Sequence, residues 1–227
     1  MSSLLHQTTG FVLSCRDHKE ADRWYTAYTR EHGKIDFLAR GGHKPLAKLT
    51  PHLEMIAEVD LLLVLRRAYR TVAGVERLAN FPNLYTDPAR LTLAHSALHL
   101  VDIGTKQEEQ DEQIYELIDT WMRFLDQIDS PSSERAAFLL GAFCWKLTAQ
   151  TGYQPELYHC LACRNPVSSQ AFRWHGLRGG VVCERCVTIH QEQWFAAKPL
   201  DDSTLKLVRL ALEQPFEQHL RPHLAAE

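Results

Sequence analysis

A chain of 227 residues and 26.0 kDa can hold one large domain or two to three small ones. Its 45% hydrophobic and 23% charged residues are ordinary for a globular protein, and its longest apolar run, Leu61 to Leu65, is far too short to cross a bilayer, so no membrane partner is expected. The formal net charge of −3 excludes a strongly basic or acidic protein but hides an asymmetry: residues 1–80 carry 12 Lys and Arg against 9 Asp and Glu, residues 81–157 carry 5 against 12, and residues 158–227 carry 8 against 7.

The opening residues Met1-Ser-Ser-Leu-Leu-His-Gln7 lack a basic segment followed by an apolar run, so no signal peptide is read there. Residues 1–80 then read as a small β domain. Gly10-Phe-Val-Leu-Ser-Cys15 is a strand, Arg23 to Arg30 a second, and Lys34 to Arg40 a third, with the turn Glu31-His-Gly33 between the last two. Met55, Ala57, Val59, Leu61, Leu63 and Leu65 alternate with polar residues and predict a fourth strand, and Thr71 to Val75 a fifth. Five short strands with a glycine-bearing connection, Gly41-Gly-His-Lys-Pro45, fit an OB-fold barrel. The periodicity alone fits an SH3-like barrel nearly as well.

This domain also carries the clearest binding chemistry. Arg23, Arg30, Lys34, Arg40, Lys44 and Lys48 cluster with Trp24, Tyr25, Tyr28 and Phe37 over two strands and a loop. Single-strand binders combine cations for phosphates with aromatic faces for bases. The plainer alternative is that the charges are a solvated face and the aromatics core; at least half of the aromatics must be core, because successive strand residues face opposite ways. The cations are expected to share one face or rim.

The middle, residues 81–157, is helical. Asp87-Pro88 starts a helix with Leu91, Ala94, Leu98 and Val101 on one stripe. Glu108, Glu109, Asp111 and Glu112 precede a second, with Ile114, Leu117, Ile118, Trp121, Leu125 and Ile128, and read as a solvated helix start. Ser132-Ser133 starts a third with Ala136, Leu139, Leu140, Phe143 and Leu147, ended by Gly152 and Pro155. Residues 158–190 hold the sharpest motif, Cys160-Leu-Ala-Cys163 and Cys183-Glu-Arg-Cys186. Two such knuckles at this separation have zinc-site spacing, and the short runs Phe172-Arg-Trp174 and Val181-Val182 form the returning hairpin. Four thiolates fill a tetrahedral shell and leave no place for a reacting water, so one structural zinc per chain is expected. His159, His175 and His190 lie close enough in sequence to substitute for a cysteine. Cysteines used this way, with Cys15 and Cys144 left over, suit a reducing cytoplasm. In residues 191–227, Asp201 caps a helix with Leu205, Val208 and Leu212, stopped by Pro215; the last dozen residues, His219 among them, are expected to be weakly ordered.

No active site stands out. A phosphate-binding Gly-x4-Gly-Lys-Ser/Thr loop is missing, and the His-x-Glu triplets at His18, His52 and His190 lack the Pro-Cys-x2-Cys that a zinc deaminase needs after them. The chain is read as a non-enzyme.

At this point the sequence resembles the bacterial recombination mediator family RecO. The resemblance rests on Gly10-Phe-Val-Leu13, Glu20-Ala-Asp-Arg23, Thr29-Arg-Glu-His-Gly-Lys34 and Arg40-Gly41, then on Gly152-Tyr153, Pro155, Leu157 and the two knuckles with Phe172 and Gly179-Gly180 between them. It covers residues 8 to about 190 in one order. It implies an α+β protein: an N-terminal OB-fold β-barrel followed by an α-helical domain with an embedded four-cysteine zinc finger. It further implies a nucleoid-associated protein that binds single- and double-stranded DNA, anneals strands, and helps to load recombinase with RecR. A last implied partner is the acidic C-terminal tail of single-stranded DNA-binding protein, for which Arg123, Arg135 and Arg164 are the candidate cations. Arg164-Asn165 stand where the family commonly has a glycine, so the knuckle turn is expected one residue later, at Asn165. The competing reading is a non-catalytic, zinc-stabilised protein-interaction module whose barrel meets a protein.

Overall fold

The computed structural model describes residues 5–19, 21–41, 52–66, 69–167 and 172–221, so Gly42, Lys44 and Lys48 lie outside the described residues. The chain divides into two compact units, one built on residues up to Leu140 and one from Gly141 onward.

In the first unit, β1 (Leu5–His18), β2 (Asp22–Thr29), β3 (Gly33–Ala39), β4 (Glu58–Leu65) and β5 (Arg70–Ala79) close into a barrel in the order β1-β2-β3-β5-β4. All pairings are antiparallel except β3 with β5, the crossover that distinguishes an OB-type barrel from an SH3-like one. Period-2 alternation fills the interior with Val12, Tyr25, Ala27, Ile35, Phe37, Val59, Leu61 and Leu63. Tyr25 and Phe37 stack there, with centroids 5.7 Å apart. The alternation stops short of Leu65, which is exposed at the end of β4. β1 departs from alternation for a different reason. Its register slips between Val12 and Ser14, and Phe11, Val12 and Leu13 are all buried. Val12 enters the barrel, while Phe11 meets Tyr115 outside it at 5.5 Å.

Tyr115 belongs to the helices that cover that side. After a short α1 (Pro82–Thr86) come α2 (Pro88–Gly104), α3 (Glu112–Gln127) and α4 (Ser133–Thr148), the last crossing from one unit into the other. The caps are side-chain oxygens: Asp87 accepts from the backbone N–H of Ala89 and Arg90, and Asp111 from that of Gln113. The α2 stripe is rotated from the expected one; Leu93 and Ala97 are buried with Ala94, Leu98 and Val101, and Leu91 only half so. On α3, Ile114, Leu117, Ile118, Trp121 and Leu125 are buried as the period requires, and Tyr115, Met122 and Phe124 widen the face because it packs on the barrel as well.

The β2–β3 turn docks on the α2–α3 connection. Gly33 has φ 64°, and a Cβ there would stand 1.9 Å from the carbonyl oxygen of Glu109, so only glycine fits. The Glu108 N–H donates to the Lys34 carbonyl at 2.9 Å.

In the second unit, α4 ends at a wide turn where Gly152 takes φ 90°. The hairpin β6 (Phe172–His175) and β7 (Gly180–Cys183) follows the first knuckle, then α5 (Glu184–Ile189), α6 (Gln191–Trp194), β8 (Lys198–Pro199) and α7 (Asp202–Glu213). Asp201 caps α7 by accepting from the Thr204 N–H at 2.8 Å. Leu157, Phe172, Val181 and Leu205 form one core, with Trp174, Val208 and Leu212 packed against it. The residues just past α7 are not loose: Phe216–Leu220 make a 3-10 turn in which Phe216 and His219 are buried edge to face, and a His219 ring nitrogen lies 3.2 Å from the Leu210 carbonyl. Among the described residues no helix is long and apolar enough to cross a membrane.

Candidate metal centre and nucleic-acid interface

The Sγ atoms of Cys160, Cys163, Cys183 and Cys186 all lie within 4.8 Å of one another, and those of Cys163 and Cys183 are 3.9 Å apart. A tetrahedral cation with about 2.3 Å bonds to sulfur needs sulfurs about 3.8 Å apart. The Cys163–Cys183 pair has that spacing, the other sulfurs are close enough to converge on one ion, and the all-thiolate donor set is consistent with a zinc site. Local structure builds it. The Cys160 N–H donates to the Asn165 carbonyl and the Arg164 N–H to the Cys160 carbonyl, which folds the first knuckle. Cys183 ends β7 and Cys186 sits one helical turn on in α5.

The thiols are not equivalent. Burial pushes Cys160 up, but the backbone N–H groups of Cys163, Cys183 and Ala162 outweigh it and hold it well below an ordinary thiol. Burial, and then the neighbouring sulfurs, push Cys186 up. Four crowded sulfurs resist ionising together unless a cation joins them. The nearby histidines stand apart from the cluster. His175 is buried and accepts from the Arg178 N–H, His159 is paired with Glu156 at 3.6 Å, and His190 is exposed.

The knuckle turn falls on Arg164, with φ 60°, and not on Asn165. The hydrogen bonds that bracket the turn fix the left-handed position one residue after Cys163, so an arginine takes the strained conformation. Its side chain is 71% exposed and 4.0 Å from Glu156. Of the other two candidate partner cations, Arg123 is held by both oxygens of Asp119, at 2.8 and 2.9 Å, and lies 3.5 Å from Glu58. Arg135 is half-buried in the first turn of α4. Arg123 and Arg135 belong to the first unit and Arg164 to the second.

The barrel cations do not share one rim. Register puts Arg16 opposite Trp24, and Arg23 opposite both Asp17 and Ala39, so Arg16, Arg23 and Arg40 share one end of the β1-β2-β3 sheet. Arg30 and Lys34 flank the β2–β3 turn at the other end, about 20 Å away at 3.3 Å per residue. There the acidic α2–α3 segment meets the barrel. Arg30 pairs with Glu112 at 3.0 Å and lies over the Tyr115 ring at 4.5 Å, and Arg70 pairs with Glu108 at 2.8 Å. The acidic residues before α3 are therefore partly spent on barrel arginines instead of only facing solvent.

Lys34 is 8% exposed; its ammonium donates to the carbonyls of Asp102 and Thr105, the latter at 2.6 Å, and is 3.7 Å from the Asp102 carboxylate. Its ammonium is turned into the protein. Of the aromatics, Tyr25 and Phe37 are barrel core, and Tyr28 is buried with its hydroxyl donating to the Asp111 carbonyl. Burial and the nearby Asp111 push that phenol up to about 12. Only Trp24 remains half-exposed.

Sequence reasoning assigned no binding role to Arg16, His18 and Tyr69, which gather around Trp24. The period-2 spacing of Arg16 and His18 was a signal for the first two. Tyr69 sits between strands, where periodicity says nothing.

The comparisons with known proteins agree with this architecture. The family model described as "Recombination protein O N terminal" matches residues 1–81, and that described as "Recombination protein O C terminal" matches residues 85–223. A DNA repair protein RecO from Pelotomaculum thermopropionicum is 31% identical over 93% of this chain and 78% of its own length. Those from a Roseiflexus species and from Alkaliphilus metalliredigens are each 27% identical, over 96% and 95% of this chain and 73% and 84% of their own. With family models matched over residues 1–81 and 85–223 and relatives aligned over nearly the whole chain, the protein belongs to the RecO family of DNA repair and recombination proteins.

Proposed function

We propose that this chain is a non-catalytic mediator that binds single- and double-stranded DNA through its barrel, anneals complementary strands and works with RecR in loading recombinase. The observation that carries the reading is the gathering of Arg16, Arg23 and Arg40 at one end of three adjacent strands. Lys44 and Lys48 continue that cationic stretch along the sequence. Annealing needs phosphates neutralised while base edges stay free to pair, and side chains that contact only phosphate do that. On this reading residues 1–80 face DNA, while the helical residues 81–157 and 191–227 and the finger 158–190 face proteins, in the cytoplasm at the nucleoid. Cys160, Cys163, Cys183 and Cys186 would hold one Zn2+, which supplies a structural cross-link. For the acidic tail of single-stranded DNA-binding protein, Arg164 is better supported than Arg123, whose guanidinium is already held by Asp119. Lys34, whose ammonium is buried, leaves the set of DNA contacts. Arg30 lies at the opposite end of the sheet from the Arg16, Arg23 and Arg40 group, in which Arg23 pairs with Asp17 at 3.1 Å and Arg16 lies 3.6 Å from Asp36.

The test is the triple variant Arg40→Ala, Lys44→Ala, Lys48→Ala. Oligonucleotide affinity should fall alike for all sequences, and the slope of log affinity against log salt should flatten by about 2–3 units, with zinc content and melting temperature unchanged. Unaltered affinity and slope would favour the protein-interaction module instead.

A further inference from the structure

On the outer face of β2, Trp24 and Tyr28 share one parity but meet different fates. Tyr28 is sealed by the start of α3. Trp24 stays half-exposed, with Leu38 opposite it on β3 and with rings and a cation around its open side. The Tyr69 ring lies 5.8 Å from the indole at 73°, and the His18 ring 5.9 Å at 69°. The Arg16 guanidinium is 5.9 Å from the indole centroid; it lies 3.6 Å from Asp36 and its side chain is 68% exposed. Arg40, exposed, donates to the Tyr69 hydroxyl at 3.0 Å.

This constellation draws on three separate parts of the chain: the end of β1, the start of β2, and the connection into β5. The indole stands opposite the buried Leu38 of β3, and the groups that border its remaining exposed surface are other ring systems. Two exposed arginines flank the rings, Arg16 beside the indole and Arg40 at the Tyr69 hydroxyl. Cations for the backbone beside aromatic faces for bases are the parts a single-strand site needs. The face built by the second and third strands, with the connection between the fourth and fifth, is also where OB barrels hold oligonucleotides.

We propose that Trp24, with Tyr69 and His18, is a base-stacking platform for unpaired bases of single-stranded DNA, and that Arg16 and Arg40 hold the phosphates on either side of it. The inference rests on the DNA-binding reading above and sharpens it. Phosphate contacts by themselves give a single strand no advantage over a duplex, whose charge density is higher, whereas the platform engages only bases whose faces are free, because in a duplex those faces are stacked on one another. It therefore makes the barrel prefer the unpaired strand and release it as pairing proceeds.

The test compares full-length wild type with Trp24→Leu, using three fluorescent probes: a dT oligomer, an abasic oligomer of the same length, and a duplex. Trp24→Leu should weaken dT binding about 5- to 150-fold. The salt slope should stay unchanged, as should affinity for the abasic oligomer and the duplex. Trp24→Phe, which keeps a ring, should recover most of the loss. If Trp24→Leu melts early, Tyr69→Leu, in the connection between β4 and β5, serves as the second variant with the same expectation. Wild-type dT affinity in a folded Leu variant overturns the platform, and so does an equal loss on all three probes. If the Arg40, Lys44, Lys48 variant still loses affinity in that case, the phosphate reading survives without the platform. If it too binds normally, both readings fall.

Discussion

Lys34→Met separates the structural from the electrostatic view of the barrel's cations. Helix α2 has no basic residue in its last turn, and Lys34 reaches across from β3 to supply one. Its ammonium meets two carbonyls at the C-terminal end of α2, where the helix dipole is negative, with the Asp102 carboxylate 3.7 Å away. Each charge-assisted hydrogen bond contributes about 1.5–3 kcal/mol net. Favourable interaction with the helix terminus adds about 0.3–1 kcal/mol. Against this stands the cost of desolvating an ammonium that is only 8% exposed. Methionine keeps the length of the stem but leaves both carbonyls without a donor, so the expected loss is about 2–4 kcal/mol. In a unit of this size that corresponds to roughly 6–15 °C in melting temperature. Thermal unfolding followed by circular dichroism reads the loss, and an oligonucleotide salt titration on the same sample should give the wild-type slope. An unchanged melting temperature together with a slope flatter by about 0.7–0.9 would refute the reasoning and return Lys34 to the phosphate contacts.

Two further outcomes concern the finger. Freshly purified, reduced protein should carry about one zinc per chain by elemental analysis; Cys183→Ser should lower zinc content and melting temperature without selectively weakening DNA binding, and a preparation free of zinc would sink the metal assignment. Arg164→Gly removes a side chain from a left-handed backbone position at φ 60° and should raise finger stability by up to about 1 kcal/mol, read as slower zinc loss to a chelator; faster loss would mean that the Glu156 contact outweighs the strain.

What could be read along the chain was whatever depends on short separations. The knuckles Cys160–Cys163 and Cys183–Cys186 announce a tetrathiolate because two cysteines three apart in a tight turn or helix bring their sulfurs to one side, and their four sulfurs do converge. Asp87 and Asp201 mark helix starts because a cap bonds only two or three residues on, whereas the cap at Asp111 stood within an acidic run that marked the helix start only through its charge. Period-2 alternation found the barrel strands, and it already required that some of Trp24, Tyr25, Tyr28 and Phe37 be core. It could not say which, since the outer face of a strand is solvent at Trp24 and helix at Tyr28. A period likewise carries no information on which end of a hairpin meets another element. Arg30 and Arg40 look equivalent in sequence, yet one faces the acidic segment before α3 and the other does not. Lys34 looked like a phosphate contact until α2, nearly seventy residues later, brought its open carbonyls to it. The left-handed turn at Arg164 followed from hydrogen bonds that pin the knuckle, which override a preference of about 1 kcal/mol for asparagine or glycine there. Tertiary structure decided these cases for one reason: a charge or a ring is assigned its role by the partner that packing delivers, and local sequence does not contain that partner.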